Sequence, residues 1–355
     1  MKTILYHLHH LYCLPRQTRQ ICRLHHHRRI CRLLFTGFLT AVLTVCILQT
    51  SAAVQAAAPL MTITALDYGS DRVEGGDIVL VSSGGKYLLM DTGNYDDTNK
   101  VILYLKSHRI KKLSLYLSHW HEDHFYYLWH IMDNPYFTVE RLYLPSTTPI
   151  RKCAAGRYRN RFWYEFAVRC WKGIPSAGLY GAKEICKKAK KEKIPVTFLK
   201  KGSSFQIGNA AAEVLWSSGA NTFSSGFWEY INDRSLVTKI TAGDMSFLTA
   251  GDISRKTLRK MIKKGIDLRA DLYKLSHHGT DSDTASIIRK IHPACAFYCD
   301  STEKKGEIRL SKNRRKIAAK TKLYSVRYNG NLTFRLYGKQ SAVPVKVTVQ
   351  RRRAV

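Results

Sequence analysis

The sequence predicts an α/β fold in which two similar layers face each other. From Met61 onwards, short apolar runs broken by glycine alternate with stretches of helical spacing. The first half has the order strand, strand, helix, strand, with a polar cluster at the end of the last strand, which is typical of α/β layering. The second half repeats strands and helices in the same manner, which indicates a second layer. A chain of 355 residues with 45% hydrophobic residues is long enough to form a real core.

The first 56 residues have the pattern of an export signal. Basic residues at 28–32 precede an apolar stretch of 16 residues at 33–48, and small residues follow up to Ala56. We therefore expect cleavage after Ala56 and a secreted or extracellular protein. An uncleaved segment would instead anchor the chain in a membrane, although 16 residues fall short of the roughly 20 that a spanning helix needs. The membrane is expected as a partner only through this segment.

The elements of the first half follow from their periodicity. Residues 61–90 predict three strands, the last two joined by a hairpin at residues 83–85. Apolar spacing predicts a helix over residues 97–108. Residues 113–119, LSLYLSH, then predict a buried strand that ends in the polar cluster.

A basic and aromatic insert separates the two halves. Residues 151–193 carry 13 basic and three acidic residues, with helices predicted near 161–171 and 181–193. Strands resume in residues 196–216 and 235–253, and a helix follows at 254–264. The last part of the chain predicts a further helix and three short strands, at residues 294–300, 322–328 and 332–338. We assign residues 61–337 to one domain and residues 338–355 to a basic C-terminal tail.

The charge of the chain favours a polyanionic partner. The formal net charge is +32, and seven of the 58 lysines and arginines but none of the 26 acids lie in the first 56 residues. Downstream of the export signal the chain is still strongly basic, which suits nucleic acid or a phosphate-bearing wall polymer. In the insert, Trp163, Tyr164 and Trp171 offer flat faces on which bases stack, although ordinary helix packing explains at least half of its aromatic residues.

The densest polar cluster is SHWHEDH, residues 118–124. In an extended segment His119 and His121 point to the same side, because the side-chain period of a strand is two. Asp123 and His124 follow where we expect the chain to turn into a helix. Two imidazoles around one metal ion, with a carboxylate and an imidazole around a second, are typical ligands of zinc or a similar metal. Four such side chains within six residues therefore predict a metal site rather than core histidines.

The H-x-H-x-D-H motif resembles the metallo-β-lactamase superfamily. Residues 76–80 and 91–94, which precede the motif, are part of the same resemblance. Three later runs, residues 232–237, 247–254 and 275–280, are similar to the branch that contains the metallo-hydrolase domain of ComEC-type competence proteins and a phosphorylcholine esterase. The resemblance covers roughly residues 62–337. It implies a four-layer αββα sandwich of the metallo-β-lactamase type, with two divalent metal ions at one edge that activate water for hydrolysis. Zinc is the first expectation for these ions, and manganese is the alternative.

The resemblance also implies a ligand set. Carried onto this chain, His119 and His121 would hold the first metal, and Asp123 and His124 would hold the second. Asp252 would bridge both metals.

A histidine of the pair 277–278 would complete the second site. His278 is preferred because Gly279 follows it, as the superfamily pattern requires; His277 would then orient the substrate, support a ligand or simply pack against a strand end. Asp91 matches an acid that fixes a ligand histidine, with a turn at Gly93 as its alternative role.

The chain departs from the superfamily at the first metal. No histidine lies between His130 and His277, so the usual third histidine from the middle of the chain is missing. The first metal is then held by His119, His121 and Asp252, or it recruits Asn232 or Asp233.

These residues suggest a hydrolytic mechanism. Two cations about 3.5 to 4 Å apart lower the pKa of water and stabilise the attacking and leaving oxygens. Asp252, or a histidine that is left partly free, would accept the proton, and His277 or water would protonate the leaving group. Such sites cleave phosphodiesters, β-lactams and lactones, so the basic charge decides the first expectation, an exported phosphodiesterase that acts on nucleic acid or a phosphate-bearing polymer. The alternatives are a lactamase or lactonase, and a non-catalytic polyanion-binding protein on a decayed hydrolase fold.

One short stretch repeats the letters TAGD, at residues 241–244 and 249–252. Gly243 and Asp244 interrupt two apolar strands, which predicts a hairpin turn. Asp252 instead follows the second strand and precedes a helix, where α/β sheets place their ligands. The sequence therefore predicts a turn at Asp244 and a metal bridge at Asp252.

Overall fold

The strands of the molecule form two sheets. The computed structural model describes residues 58–67, 76–93, 98–147, 179–218, 227–280, 282–299 and 312–350. Within them, the first sheet has eight strands in the order β15-β14-β1-β2-β3-β4-β5-β6, and the second has seven in the order β13-β12-β11-β10-β9-β8-β7. The strand bounds are β1 Met61–Ala65, β2 Val79–Ser83, β3 Lys86–Met90, β4 Lys112–Tyr116, β5 Thr138–Pro145, β6 Val196–Leu199, β7 Ser204–Ile207, β8 Ala210–Trp216, β9 Val237–Ala242, β10 Met245–Thr249, β11 Leu272–Lys274, β12 Cys295–Tyr298, β13 Lys322–Ser325, β14 Leu332–Leu336 and β15 Val345–Val349.

Most of the helices cover the outer faces of the two sheets, whereas Val326 of the last short helix packs in the core between them. The helix bounds are α1 Thr98–Ser107, α2 Glu122–Asp133, α3 Leu179–Lys191, α4 Phe227–Asn232, α5 Arg255–Lys263, α6 Ala285–Ile291, α7 Lys312–Ala318 and α8 Val326–Asn329, with a 3-10 turn at His277–Gly279. Ser254 caps α5, because its hydroxyl accepts a hydrogen bond from the amide of Thr257. Thr284 caps α6 in the same way, through the amide of Ile287.

Three apolar cores separate four layers. One packs helices against the first sheet and includes Leu105 of α1 and Leu128 of α2. The second lies between the sheets, where the rings of Phe297 and Phe334 stack with centroids 5.1 Å apart. The third packs Leu258 of α5 and other helical residues against the second sheet. The predicted four-layer αββα sandwich is therefore confirmed.

Parallel strands bring the polar residues to one edge. β3 and β4 run parallel, as do β10 and β11. Asp91 directly follows β3, and Asp252 lies a few residues beyond the end of β10. Because the carboxyl ends of parallel strands meet at the same edge of a sheet, the segments that follow these four strands come together there.

Most local elements agree with the sequence predictions. The helix predicted at 254–264 is α5, and Gly243 and Asp244 form the predicted two-residue hairpin turn between β9 and β10. The helix predicted near 161–171 lies outside the described residues.

The C-terminal part differs from the prediction. The strand predicted over 322–328 is wrong in its second half, because the chain turns into α8 after Ser325. The amide of Ser325 donates to Oδ1 of Asn329 at 3.0 Å, which closes this turn. Within the predicted basic tail, the alternating residues of β15 pair antiparallel with β14, so the first sheet extends into this segment.

Among the described residues, no helix combines the length and the apolar character needed to cross a membrane. The segment 1–57, which contains the predicted export signal, lies outside the described residues.

Candidate metal centre

The segment after β4 gathers three histidines. β4 ends at Tyr116, and the chain runs irregularly to His121, which occupies the position before the first turn of α2. The ring of His119 lies 4.8 Å from that of His121 and 4.2 Å from that of His124, measured between centroids. All three side chains are buried. The short turn into α2 thus brings together the histidines that the motif predicts as ligands.

Asp252 lies in the middle of this cluster. Its Oδ2 is 3.2 Å from Nε2 of His124, 3.2 Å from Nε2 of His278 and 3.8 Å from Nε2 of His119. The residue is only 2% exposed. Asp123, in the first turn of α2, is partly exposed, and its Oδ2 is 3.2 Å from the same nitrogen of His278. The carboxylate of Asp252 therefore contacts His124, which follows a strand of the first sheet, and His278, which follows a strand of the second sheet.

Asp91 fixes the orientation of the His124 ring through hydrogen bonds. Its two oxygens accept hydrogen bonds from the amide and hydroxyl of Ser118, each at 2.7 Å, and Oδ2 lies 2.9 Å from Nδ1 of His124. The residue takes φ of +54°, in the left-handed region that side chains rarely adopt. The structure thus places Asp91 behind a histidine, in the position of a supporting acid.

The pair of histidines after β11 sits on a strained turn. His277 and His278 have φ of +49° and +53°, and Gly279 continues with +72°. The amide of His277 donates to the carbonyl of Gly251 at 3.0 Å, which ties the turn to the end of β10. A Cβ at Gly279 would come within 2.8 Å of Tyr298, so only glycine fits.

This turn separates the roles of the two histidines. The ring of His278 points into the cluster. The ring of His277 is partly exposed, and its Nε2 lies 3.3 Å from Nδ2 of Asn232.

A buried ion pair supports His278. Lys274 of β11 is 1% exposed and forms an ion pair with Asp77, which is equally buried. The other oxygen of Asp77 lies 3.2 Å from Nδ1 of His278. The sequence reasoning assigned no role to Asp77 or to Lys274. The only sequence signal was the position of Asp77 in the motif run 76–80.

The aspartates and two of the histidines in the cluster shift each other's pKa values. Burial opposes the charged form of His124, but the carboxylates of Asp252, Asp123 and Asp91 raise its pKa well above the usual value. The pKa of His278 is raised in the same way, by Asp252 and Asp77 against burial. These two histidines in turn hold the pKa of Asp252 well below its usual range, although burial alone would raise it.

The pKa values of His119 and His121 are shifted downward, opposite to those of His124 and His278. Burial lowers the pKa of His121 to about 4 and the pKa of His119 well below its usual value. Both imidazoles are therefore neutral near pH 7, which is the form that binds a metal ion.

The donor set fits divalent cations. Two groups of side chains have ligand atoms within 4.8 Å of one another: His119, His121 and Asp252 in one, and Asp77, His124, Asp252 and His278 in the other. Among the described residues, Nε2 of His119 and Oδ1 of Asp252 are buried without a hydrogen-bond partner. Within the described part of the chain, four carboxylates converge here, those of Asp77, Asp91, Asp123 and Asp252. Lys274 and the raised pKa values of His124 and His278 balance part of this charge, and bound cations would take the place of the protons on these two imidazoles.

The two further donors suggested for the first metal occupy different positions. Oδ1 of Asp233 accepts hydrogen bonds from the amide of Ser254 and the hydroxyl of Thr257, so this carboxylate holds the start of α5. The amide of Asn232 contacts His277 instead.

Three solved structures are similar to this chain. The chain is similar to the metallo-β-lactamase fold protein YhfI from Bacillus subtilis, with 13% identity, a TM-score of 0.42 and coverage of 75% of this chain and 95% of that one. It is also similar to Igni18, a metallo hydrolase from Ignicoccus hospitalis KIN4/I, with 12% identity, a TM-score of 0.46 and coverage of 78% and 99%. A diphosphatase from the PhnP family has 14% identity and a TM-score of 0.42, over 78% of this chain and 100% of that chain.

The sequence comparisons add one relative. No family model matches the chain. ComE operon protein 3 from Bacillus subtilis (strain 168) is 24% identical over 115 residues, which are 32% of this chain and 14% of that protein. The match thus spans a small part of the relative's length. The TM-scores of the three solved structures lie below 0.5, so the assignment of the fold rests on the chain's own two sheets and the helices packed against them.

Proposed function

We propose that this chain is an exported metal-dependent phosphodiesterase that acts on nucleic acid or a phosphate-bearing polymer. The observation that carries the proposal is the buried contact of Asp252 with His124 and His278, beside His119 and His121. Carboxylate and imidazole ligands of this kind suit two divalent cations, zinc first and manganese as the alternative. When bound, such cations lower the pKa of water and neutralise charge that develops on phosphate oxygens.

In this proposal some residues hold the cations, and others keep the ligand histidines in place. His119 and His121 would hold one cation, Asp123, His124 and His278 would hold the other, and Asp252 would contact both. Asp91 and the ion pair of Asp77 with Lys274 keep His124 and His278 in place.

His277 is placed to move a proton. Its Nε2 is occupied by the amide of Asn232, at 3.3 Å, which leaves Nδ1 as the nitrogen that can donate to a leaving oxygen. Burial lowers its pKa, so the neutral ring predominates near pH 7. The ring would first take up a proton at Nε2, in place of the contact with Asn232, and then give the proton on Nδ1 to the leaving oxygen, so that it ends neutral.

Charge favours phosphodiesters among the substrates of such sites. The chain carries 58 basic against 26 acidic residues. A polyanion is attracted to such a protein over long distances, whereas a small β-lactam gains little.

Metal content and hydrolysis together test the proposal. The full chain, purified without chelator, is expected to bind about two zinc or manganese ions and to hydrolyse bis-p-nitrophenyl phosphate and single-stranded DNA. Less than one ion per chain would favour a non-catalytic polyanion-binding protein. Hydrolysis of nitrocefin without hydrolysis of either phosphodiester would favour a lactamase. Each result would overturn the proposed phosphodiesterase.

Export rests on the sequence of residues 1–56 alone. We expect protease added outside intact cells to degrade the chain or the culture medium to contain it. A chain found only inside the cells would remove this part of the proposal.

A further inference from the structure

An open groove lies beside the metal centre. Its volume is about 620 Å³, and it is lined by Arg255, Lys256, Arg259, His277, Thr280 and Ser282. Three of these residues are basic, none is acidic, and the imidazole of His277 is the one ring among them. The groove thus offers mainly positive charge and hydroxyl groups.

The positive charge comes from α5. Residues 255–264, RKTLRKMIKK, contain six basic residues and no acid. Thr257, Leu258 and Met261 bury one face of the helix in the third core, which turns the basic residues towards solvent. Lys256 and Arg259 are exposed, and neither has a carboxylate partner among the described residues. Their charge is therefore available to an anion from outside.

The groove adjoins the metal centre at His277. Asp252 lies two residues before the cap of α5, and the amide of His277 is bonded to the carbonyl of Gly251. His277 also lines the groove, while its ring lies 6.0 Å from that of His278 in the metal cluster. A chain lying in the groove would pass His277 on its way to the metal centre.

The spacing of the cations suits a chain of phosphates. Lys256 and Arg259 lie about one helical turn apart, a rise of about 4.5 Å along the axis. Six bonds separate successive phosphorus atoms in a nucleic acid strand, so neighbouring phosphates can reach both cationic side chains. Arginine binds phosphate with paired hydrogen bonds as well as charge.

The volume of the groove distinguishes between phosphate chains. A glycerol phosphate polymer has the same six-bond repeat but is thin and would leave most of about 620 Å³ unfilled. A nucleic acid strand brings a sugar and a base with each phosphate, and these larger units fill more of the groove while the phosphates face α5.

We propose that this groove holds a single strand of nucleic acid by its phosphates and leads it to His277 and the metal centre. The proposal rests on the proposed phosphodiesterase function, which it narrows to nucleic acid. Recognition through phosphates alone means that binding depends little on base sequence and strongly on salt.

Paired charge-neutral variants test the groove. Lys256→Gln with Arg259→Gln removes two groove cations, and Lys260→Gln with Lys264→Gln removes two exposed cations of the same helix that do not line it. Binding of a fluorescent phosphorothioate oligothymidylate to the full metal-loaded chain is measured across a salt series. We expect the groove variant to raise the Kd at least tenfold and to reduce the slope of log K against log salt by about 1.4. The control variant should raise the Kd less than threefold.

Hydrolysis provides the second measurement. In the groove variant, kcat/KM for single-stranded DNA should fall at least tenfold more than kcat/KM for bis-p-nitrophenyl phosphate, which is too small to span the groove. Equal losses of binding in the two variants would overturn the proposal. So would tighter binding of a glycerol phosphate polymer than of the oligonucleotide at equal phosphate concentration. Groove-dependent binding in a chain that hydrolyses no phosphodiester would support the groove and overturn the proposed function.

Discussion

The two copies of TAGD have identical letters and different surroundings. Asp244 is exposed in the turn between β9 and β10, where Oδ2 accepts a hydrogen bond from the amide of Lys339 at 3.0 Å. Asp252 is 2% exposed and contacts His124 and His278. The strand after the first copy returns antiparallel, whereas the strand paired beyond the second copy runs parallel. The direction of the next strand therefore decides whether the aspartate meets solvent or the metal centre.

The largest expected difference between the copies is in activity. Asp252→Ala removes the carboxylate that contacts histidines from both sheets, so we expect kcat for bis-p-nitrophenyl phosphate to fall by about 10³-fold or more. Asp244→Ala should keep activity within about twofold, because its carboxylate lies outside the cluster. Steady-state kinetics and metal analysis of both variants check this. An Asp252→Ala protein with a tenth of normal activity would remove Asp252 from the reaction.

A second test concerns the lysines near each copy. Lys274→Met leaves the buried carboxylate of Asp77 without its cation, and we expect the free energy of unfolding to fall by about 3 to 5 kcal/mol. Lys239→Met, on the hairpin that Asp244 closes, removes a surface pair with Asp267 and should cost less than about 1 kcal/mol. Urea denaturation measures both. Similar costs would mean that the buried pair contributes no more than a surface pair.

The glycines of the two copies provide a third test. Both have positive φ, +56° at Gly243 and +51° at Gly251, so alanine brings about 1 to 2 kcal/mol of backbone strain at either position. A Cβ at Gly251 would also lie 2.7 Å from Ser235 and 3.1 Å from Ser118, whereas at Gly243 it meets only the flexible end of Leu60. We expect Gly251→Ala to lower the free energy of unfolding by about 3 kcal/mol and Gly243→Ala to lower it by about 1 kcal/mol. Thermal unfolding at matched metal concentration compares them, and a larger loss at Gly243 would contradict the assigned packing.

The smallest expected effect is on the stability of the Asp244→Ala variant. This substitution removes one exposed acceptor from the amide of Lys339, so the free energy of unfolding should fall by less than about 1 kcal/mol. A fall above 2 kcal/mol in urea denaturation would show that the exposed copy also supports the fold.

Local patterns predicted much of this fold. The hairpin at Gly243 and the helix α5 follow from turn residues, apolar spacing and a serine cap, all of which act within a few residues. The strand β15 was missed because its alternation is hidden among the basic residues of the C-terminal segment.

The site was predictable only in part. The motif at 119–124 concentrates ligand types in one short run, so it is visible in the sequence. Asp77 and His278 lie 201 positions apart, and the spacing along the chain does not show that their side chains touch. In the sequence Lys274 does not differ from other strand lysines. Only its burial in the structure shows that its charge requires a carboxylate partner.

The metal centre also joins the two halves of the chain. His119 and His124 follow β4 of the first sheet, whereas Asp252 and His278 follow β10 and β11 of the second. Neither half carries a complete ligand set, so tight metal binding requires the sheets to have docked. Metal uptake during refolding would thus report on a late folding event. A bound ion would also stabilise the docked sheets and slow their separation.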